Sequence, residues 1–211
     1  MDKCHDFTLK EGSSMLVCGP TMSDKSTFVH AILNDKRIFN RPPKKVYWFY
    51  GQETDELKAK KGYILKQGLP DSFNYIPKNS VIVLDDLMNE AKDHPGVTNL
   101  FTKLVHHNNL FVINITQNFF LNSKETRTRR LNTQYIVLFK NPSDATQVHV
   151  IGRQMYLRAP NFLLEVNTRI TKHPHSYKFI DLRQETPDEF RIRSHILLNE
   201  KRRMHLYKRN N

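Results

Sequence analysis

Lys25 and Ser26 follow Gly19-Pro20-Thr21-Met22-Ser23-Asp24 and precede Thr27, a spacing one residue away from the phosphate-binding pattern G-x-x-x-x-G-K-[ST]. In such a loop, successive backbone N–H groups point at a phosphate at the start of a helix. Lys25 is placed to reach the outer phosphates, and the Ser26 hydroxyl to bind Mg²⁺. Asp85 ends the apolar run SVIVLDDLM, where a carboxylate on the Mg²⁺ side belongs. Asp86 beside it is a candidate to orient and deprotonate an attacking water, although its side chain is one methylene shorter than the more usual glutamate. Gln117 closes another apolar run, LFVINITQ, and is a candidate sensor of the outer phosphate through that water, or a loop hydrogen-bonder. Arg127, Arg129 and Arg130 follow it. One of them, or else Arg153, is a candidate arginine finger toward a neighbouring subunit's nucleotide. The alternative for this basic run is a solvated or DNA-facing surface.

Asp24 stands where the pattern has glycine. Glycine lets the backbone approach phosphate without a Cβ. Aspartate tolerates left-handed geometry better than most residues, at a backbone cost of ~1–2 kcal/mol. Its charge is the larger problem, because a carboxylate ~4 Å from a phosphate charge is opposed by roughly 4 kcal/mol at an effective dielectric near 20. A loss of nucleotide affinity on the order of a thousandfold is the expectation. Lys25 pairing with Asp24 would disarm the loop further. The histidines, including His106-His107 and His173-Pro174-His175, have no matching carboxylate or cysteine cluster in the sequence and read as surface or core residues rather than metal ligands.

The elements around these residues have the required character. MLVCG, 15–19, reads as a short buried strand, and Phe28, Val29, Ile32 and Leu33 recur at helical spacing after it until Asn34-Asp35. Strand, loop, helix is the context that a phosphate loop needs. KKVYWFYG, 44–51, is rich in β-branched and aromatic residues and predicts a second strand. TDELKAKKGYIL, 54–65, predicts a helix capped by Thr54. The runs 80–88, 110–117 and 135–141 are continuously apolar, as in strands of a parallel sheet covered on both faces, and 97–107 fits a helix between two of them. Strands alternating with helices predict a doubly wound α/β sheet, whose ligands bind at the carboxyl ends of the strands. Gly19, Asp85 and Gln117 all fall at such ends. Beyond about residue 160 the pattern weakens. SYKFIDL and EFRIRSHIL predict a terminal hairpin around 184–187, and the basic tail NEKRRMHLYKRNN reads as a frayed end, an import signal or a phosphate-contacting arm.

Bulk composition bounds the partners. The 211 residues suffice for one α/β domain, and 38% hydrophobic with 26% charged content argues against wholesale disorder. Thirty-three Lys and Arg against 21 Asp and Glu give a net charge of +12, which favours a polyanionic partner, nucleic acid first. Two cysteines, Cys4 and Cys18, build neither a disulfide framework nor a four-ligand zinc site. There is no apolar leader and no run approaching ~18 apolar residues, so neither secretion nor a spanning helix is predicted, and a reducing intracellular location is expected.

GPTMSDKSTFV, IPKNSVIVLDDLM, LVHHNNLFVINITQNFF and LNTQYIVLFKNPSDATQVHVIGRQM, in this order, resemble the genome-packaging ATPases of the FtsK–HerA superfamily, and most closely those of Polinton/Maverick elements and adintoviruses. The resemblance spans roughly residues 8–200. It implies a RecA-like P-loop NTPase of the additional-strand type, with residues 1–200 as one domain and 201–211 as a basic tail. It implies ATP and Mg²⁺ as cofactors, a homo-oligomeric ring, double-stranded DNA as substrate, a capsid or portal as partner, no membrane, and the nucleus or virus assembly site as location. By resemblance, Lys25 and Ser26 match the nucleotide and Mg²⁺ positions, Asp85 and Asp86 the acidic pair, Gln117 the polar sensor and Arg127 the arginine after it. The departures are Asp24, where the family pattern has glycine, and Met22, which replaces a frequent glycine, so that impaired hydrolysis is expected. The rival readings are a catalytically degenerate DNA-binding or ring-scaffold subunit, a helicase-type motor on single strands, and, more weakly, a nucleotide kinase.

Overall fold

The computed structural model describes residues 7–119, 124–143, 145–197 and 204–209. Cys4, Phe120, Asp144 and most of the basic tail lie outside this set. In chain order the elements are β1 (Ser13–Cys18), α1 (Lys25–Asn34), β2 (Val46–Tyr50), α2 (Asp55–Lys58), β3 (Tyr63–Gln67), β4 (Val81–Asp85) and α3 (Met88–Ala91). One continuous helix follows, made of α4 (Pro95–Asn99), a π-helical turn (Leu100–Leu104) and α5 (Val105–His107). Then come β5 (Phe111–Thr116), α6 (Lys124–Leu131), β6 (Tyr135–Phe139), α7 (Thr146–Met155), α8 (Phe162–Ile170), β7 (Tyr177–Asp181), β8 (Ile192–Ser194) and β9 (His205–Leu206).

Among the described residues these strands form one nine-stranded sheet in the order β3-β2-β4-β5-β1-β6-β7-β8-β9. From β3 to β6 every pairing is parallel, and from β6 onward every pairing is antiparallel. The parallel strands are apolar throughout because both faces are covered. On one face Met15, Val17, Val83, Ile113 and Val137 pack with Phe28, Val29 and Ile32 of α1. On the other, Ile82, Leu84 and Val112 meet Val97, Leu100, Phe101 and Val105 of the broken helix, while Leu16, Ile136 and Leu138 meet Val148 and Ile151 of α7 and Leu163 and Val166 of α8. No helix among the described residues is long and apolar enough to cross a membrane.

Three differences from the sequence expectation have local causes. The helix predicted over 54–65 lasts only from Asp55 to Lys58. Thr54 caps it as expected, its hydroxyl accepting from the Leu57 N–H at 3.2 Å. The chain then turns through Gly62 at φ 91°, and Tyr63–Gln67 becomes the parallel edge strand beside β2. The polar residues of 58–61 have no apolar face to bury, whereas Tyr63, Ile64 and Leu65 do. The weakly patterned stretch beyond about residue 160 opens with a full helix, α8, and α7 fills the segment before it, for which no element was expected. In the basic tail, His205–Leu206 pairs antiparallel with β8, so part of it extends the sheet.

Lys178 is an exception on the α7–α8 face. It is fully buried, it donates from Nζ to Asn167 Oδ1, and burial pushes its pKa down to about 8. A lysine that holds fewer protons when folded destabilises the fold fully below about pH 8, and the penalty fades as pH rises toward its ordinary value of 10.5. Lys178→Met should therefore stabilise the protein by about 1–3 kcal/mol at pH 7, and the gain should shrink by pH 10. Urea denaturation of both proteins at the two pH values checks this.

Candidate functional site

The carboxyl ends of β4, β5 and β1 lie side by side, since Cys18 is in register with Thr116, and Asp85 with Ile115. The phosphate loop leaves β1 with the Gly19 N–H donating to the Thr116 carbonyl at 3.3 Å. A Cβ on Gly19 would come within 2.6 Å of Phe139 Cβ and 2.7 Å of Ser23 Oγ, so only glycine fits there. Ser23 Oγ donates back to the Pro20 carbonyl at 2.7 Å and tightens the turn. Met22 and Asp24 both have left-handed backbone, φ 62° and 66°. Glycine takes this conformation at no steric cost, so at both positions the loop follows a glycine-type path with other residues. Asp24 then serves as the residue before α1, its carbonyl accepting from the Phe28 N–H at 2.9 Å.

Side chains from the ends of β4 and β5 reach the residues of this loop and the first residue of α1. Lys25 Nζ donates to the Pro20 carbonyl at 2.7 Å rather than to Asp24, and burial lowers its pKa, while the charges of Asp85 and Asp86 act on it in the opposite direction. Asp85 is largely buried and accepts from the Trp48 indole N–H at 3.2 Å; burial raises its pKa to about 6 despite that bond. Asp86 follows at φ 52° with its carboxylate exposed, and Gln117 Nε2 donates to Asp86 Oδ1 at 3.4 Å. Gln117 Oε1 in turn lies 3.5 Å from the Thr21 hydroxyl of the loop. Ser26 sits partly exposed in the first turn of α1 and Thr27 is exposed beside it. A serine hydroxyl and a strand-end carboxylate are hard oxygen donors of the kind Mg²⁺ takes, so the residues fit that ion.

The arginines divide. Arg129 is buried and its guanidinium donates to the Ala91 carbonyl at 2.5 Å, pinning α6 to α3, so it is not available to a nucleotide. Arg130 lies over the Phe119 ring, 5.6 Å from its centroid. Arg127 and Arg153 are exposed on α6 and α7, apart from the loop's own bonding network. Two groups escaped the sequence reading. Trp48, the only tryptophan of the chain, holds Asp85 and stacks on His30 of α1 at 4.5 Å. His175, for which the sequence offers no adjacent carboxylate, meets one in Asp24, Nδ1 to Oδ2 at 2.9 Å. A strand tryptophan reads only as core, and the histidine's partner lies far away in sequence.

This cradle, on a parallel sheet in which β5 intervenes between β1 and β4, defines the RecA-like P-loop NTPase fold of the additional-strand type. Solved structures share it. The genome-packaging NTPase B204 from Sulfolobus turreted icosahedral virus 2 in complex with ATP-gammaS matches at TM-score 0.57 and 13% identity, over 87% of this chain and 97% of that one. Its complex with sulfate matches at 0.57 and 15%, over 91% and 100%. B204, the DNA-packaging ATPase from Sulfolobus turreted icosahedral virus, matches at 0.58 and 12%, over 89% and 98%. No family model matches the chain, and the comparison with curated proteins gives no match.

The raised pKa of Asp85 has a measurable consequence. An acid that holds its proton more tightly when folded adds no penalty below its ordinary value of 3.8 and the full penalty above about 6. Asp85→Asn, which can still accept from Trp48, should stabilise the ligand-free protein by about 2–3 kcal/mol at pH 7.5. The difference from the wild type should vanish near pH 4 in parallel thermal melts.

Proposed function

We propose that this chain is an ATP-driven motor domain of the genome-packaging type, acting on double-stranded DNA as a homo-oligomeric ring, with ATP turnover weakened by Asp24. The observation that carries the reading is the left-handed path of Met22 and Asp24 in a loop whose Lys25 feels the charges of Asp85 and Asp86, with Gln117 bonded to Asp86. The loop from Gly19 to Thr27, with Pro20, Thr21 and Ser23 shaping it, presents backbone N–H groups to a triphosphate. Lys25 exchanges the Pro20 carbonyl for phosphate oxygens. Ser26 and Asp85 hold Mg²⁺, which supplies positive charge to the phosphate oxygens when bound. Asp86, steadied by the Gln117 amide, orients the attacking water and takes its proton. Arg127, or Arg153, serves the nucleotide of a neighbouring copy. The sequence resemblance to Polinton and adintovirus packaging ATPases, the B204 structures and the net charge of +12 support DNA as substrate. A capsid or portal partner and an intracellular assembly site follow from the same resemblance.

Asp24 also favours a second reading, a ring subunit that binds DNA without turnover. Its carboxylate, however, is half-exposed and bonded to His175, so the opposing charge acts through solvent. At the dielectric of water, charges 4 Å apart interact by only about 1 kcal/mol. The thousandfold loss expected from a carboxylate aimed at the phosphates thus reduces to about fivefold.

ATP hydrolysis should be measured with and without duplex DNA for the wild type, Asp24→Gly and Lys25→Ala. Slow turnover is expected for the wild type, about fivefold better apparent affinity for Asp24→Gly, and none for Lys25→Ala. No turnover in any of the three, with salt-sensitive duplex binding retained, would favour the scaffold reading. Preference for single strands would favour a helicase-type motor.

A further inference from the structure

β7 is the first antiparallel strand of the sheet, and its direction delivers the turn before it to the end at which the phosphate loop lies. Tyr177 opens β7 opposite Phe139, the last residue of β6. Its ring lies 4.7 Å from that of Phe28 in α1, and its hydroxyl accepts from the Ile196 N–H at 2.9 Å. Phe139 is the residue against which Gly19 packs too closely to carry a side chain. The turn itself is closed by Ser176 Oγ donating to the His173 carbonyl at 2.7 Å, and by the Lys140 N–H donating to the Ser176 carbonyl at 2.8 Å. His175 is thereby fixed with left-handed backbone, φ 58°, and faces Asp24, itself at φ 66°. Two non-glycine residues in this sparsely populated conformation, joined to each other across the rim of one loop, are a placement that surrounding structure has to enforce.

We infer that His175 is a positioning residue of the phosphate loop: its Nδ1–H holds the Asp24 carboxylate at the solvent side of the rim, so that a residue other than glycine occupies that position while the cradle still takes a triphosphate. The inference rests on the nucleotide reading above. Unrestrained, an aspartate side chain samples several staggered rotamers, some of which bring its charge toward the loop amides and the phosphates. A charge-assisted hydrogen bond selects one of them. Lys25 does not compete for this carboxylate, because its ammonium is engaged by Pro20. Asp85 and Asp86, whose charges act on Lys25, come from β4 and its following turn, and among the described residues the ion pair of His175 is with Asp24.

Titration of a fluorescent ATP analogue with Mg²⁺ into the wild type, His175→Ala, Asp24→Gly and the double variant separates the possibilities. His175→Ala should weaken binding about tenfold where Asp24 is present and less than about twofold in the Asp24→Gly background. His175→Asn, which tolerates left-handed backbone and carries an N–H near the same place, should restore most of the loss. Equal losses in both backgrounds would mean that His175 only supports the fold, and would overturn the inference. So would unchanged affinity in His175→Ala, or binding by Asp24→Gly with none by the wild type. Absence of binding in Asp24→Gly itself would instead overturn the nucleotide reading, and this inference with it.

Discussion

Parallel pairing of β1, β5 and β4 is the constraint on which the rest depends. Parallel strands need crossover connections, and the crossovers put helices on both faces. Every strand end of one polarity then lies on one edge of the sheet. Gly19, Asp85 and Gln117 come from stretches far apart in the chain, yet the register Cys18 to Thr116 and Asp85 to Ile115 brings all three to that edge. The chemistry of the site is a by-product of this alignment. Helix α1 begins where β1 ends, so its unpaired N–H groups face the same edge as the acids.

Close packing then decides which residues the loop can hold. Gly19 is irreplaceable for a spatial reason, the nearness of Phe139 and Ser23. Met22 and Asp24 are not glycine although their backbones take the left-handed conformation, a cost of order 1–2 kcal/mol each that the strand and helix on either side impose. Met22 is exposed and meets little else. Asp24 adds a charge, and the fold answers it with a histidine from a turn that only an antiparallel strand brings to this edge.

Buried charge is handled differently at two places. Asp85 accepts from Trp48 and feels the charge of Lys25, yet burial outweighs both, so its ionised form is poorly supported. Lys178, two strands beyond β1, donates to an amide oxygen, that of Asn167. Both groups lower stability at neutral pH.

Much of this was legible in the sequence. Continuous apolar runs determined the parallel strands, and a polar residue at the close of each run marked the strand ends, because a strand buried on both faces admits polarity only where it emerges. The loop residues were legible by spacing, since a phosphate cradle needs consecutive residues. The edge strand Tyr63–Gln67 was not, because short apolar runs suit helix and strand alike until a partner strand is present. Arg129 looked like its neighbours Arg127 and Arg130, and only the position of α3 made it a buried pin. The direction in which the Asp24 carboxylate points was likewise a tertiary decision: its partner His175 reaches the loop through the reversed polarity of β7, and a single chain read residue by residue carries no record of which strand will run backwards beside which.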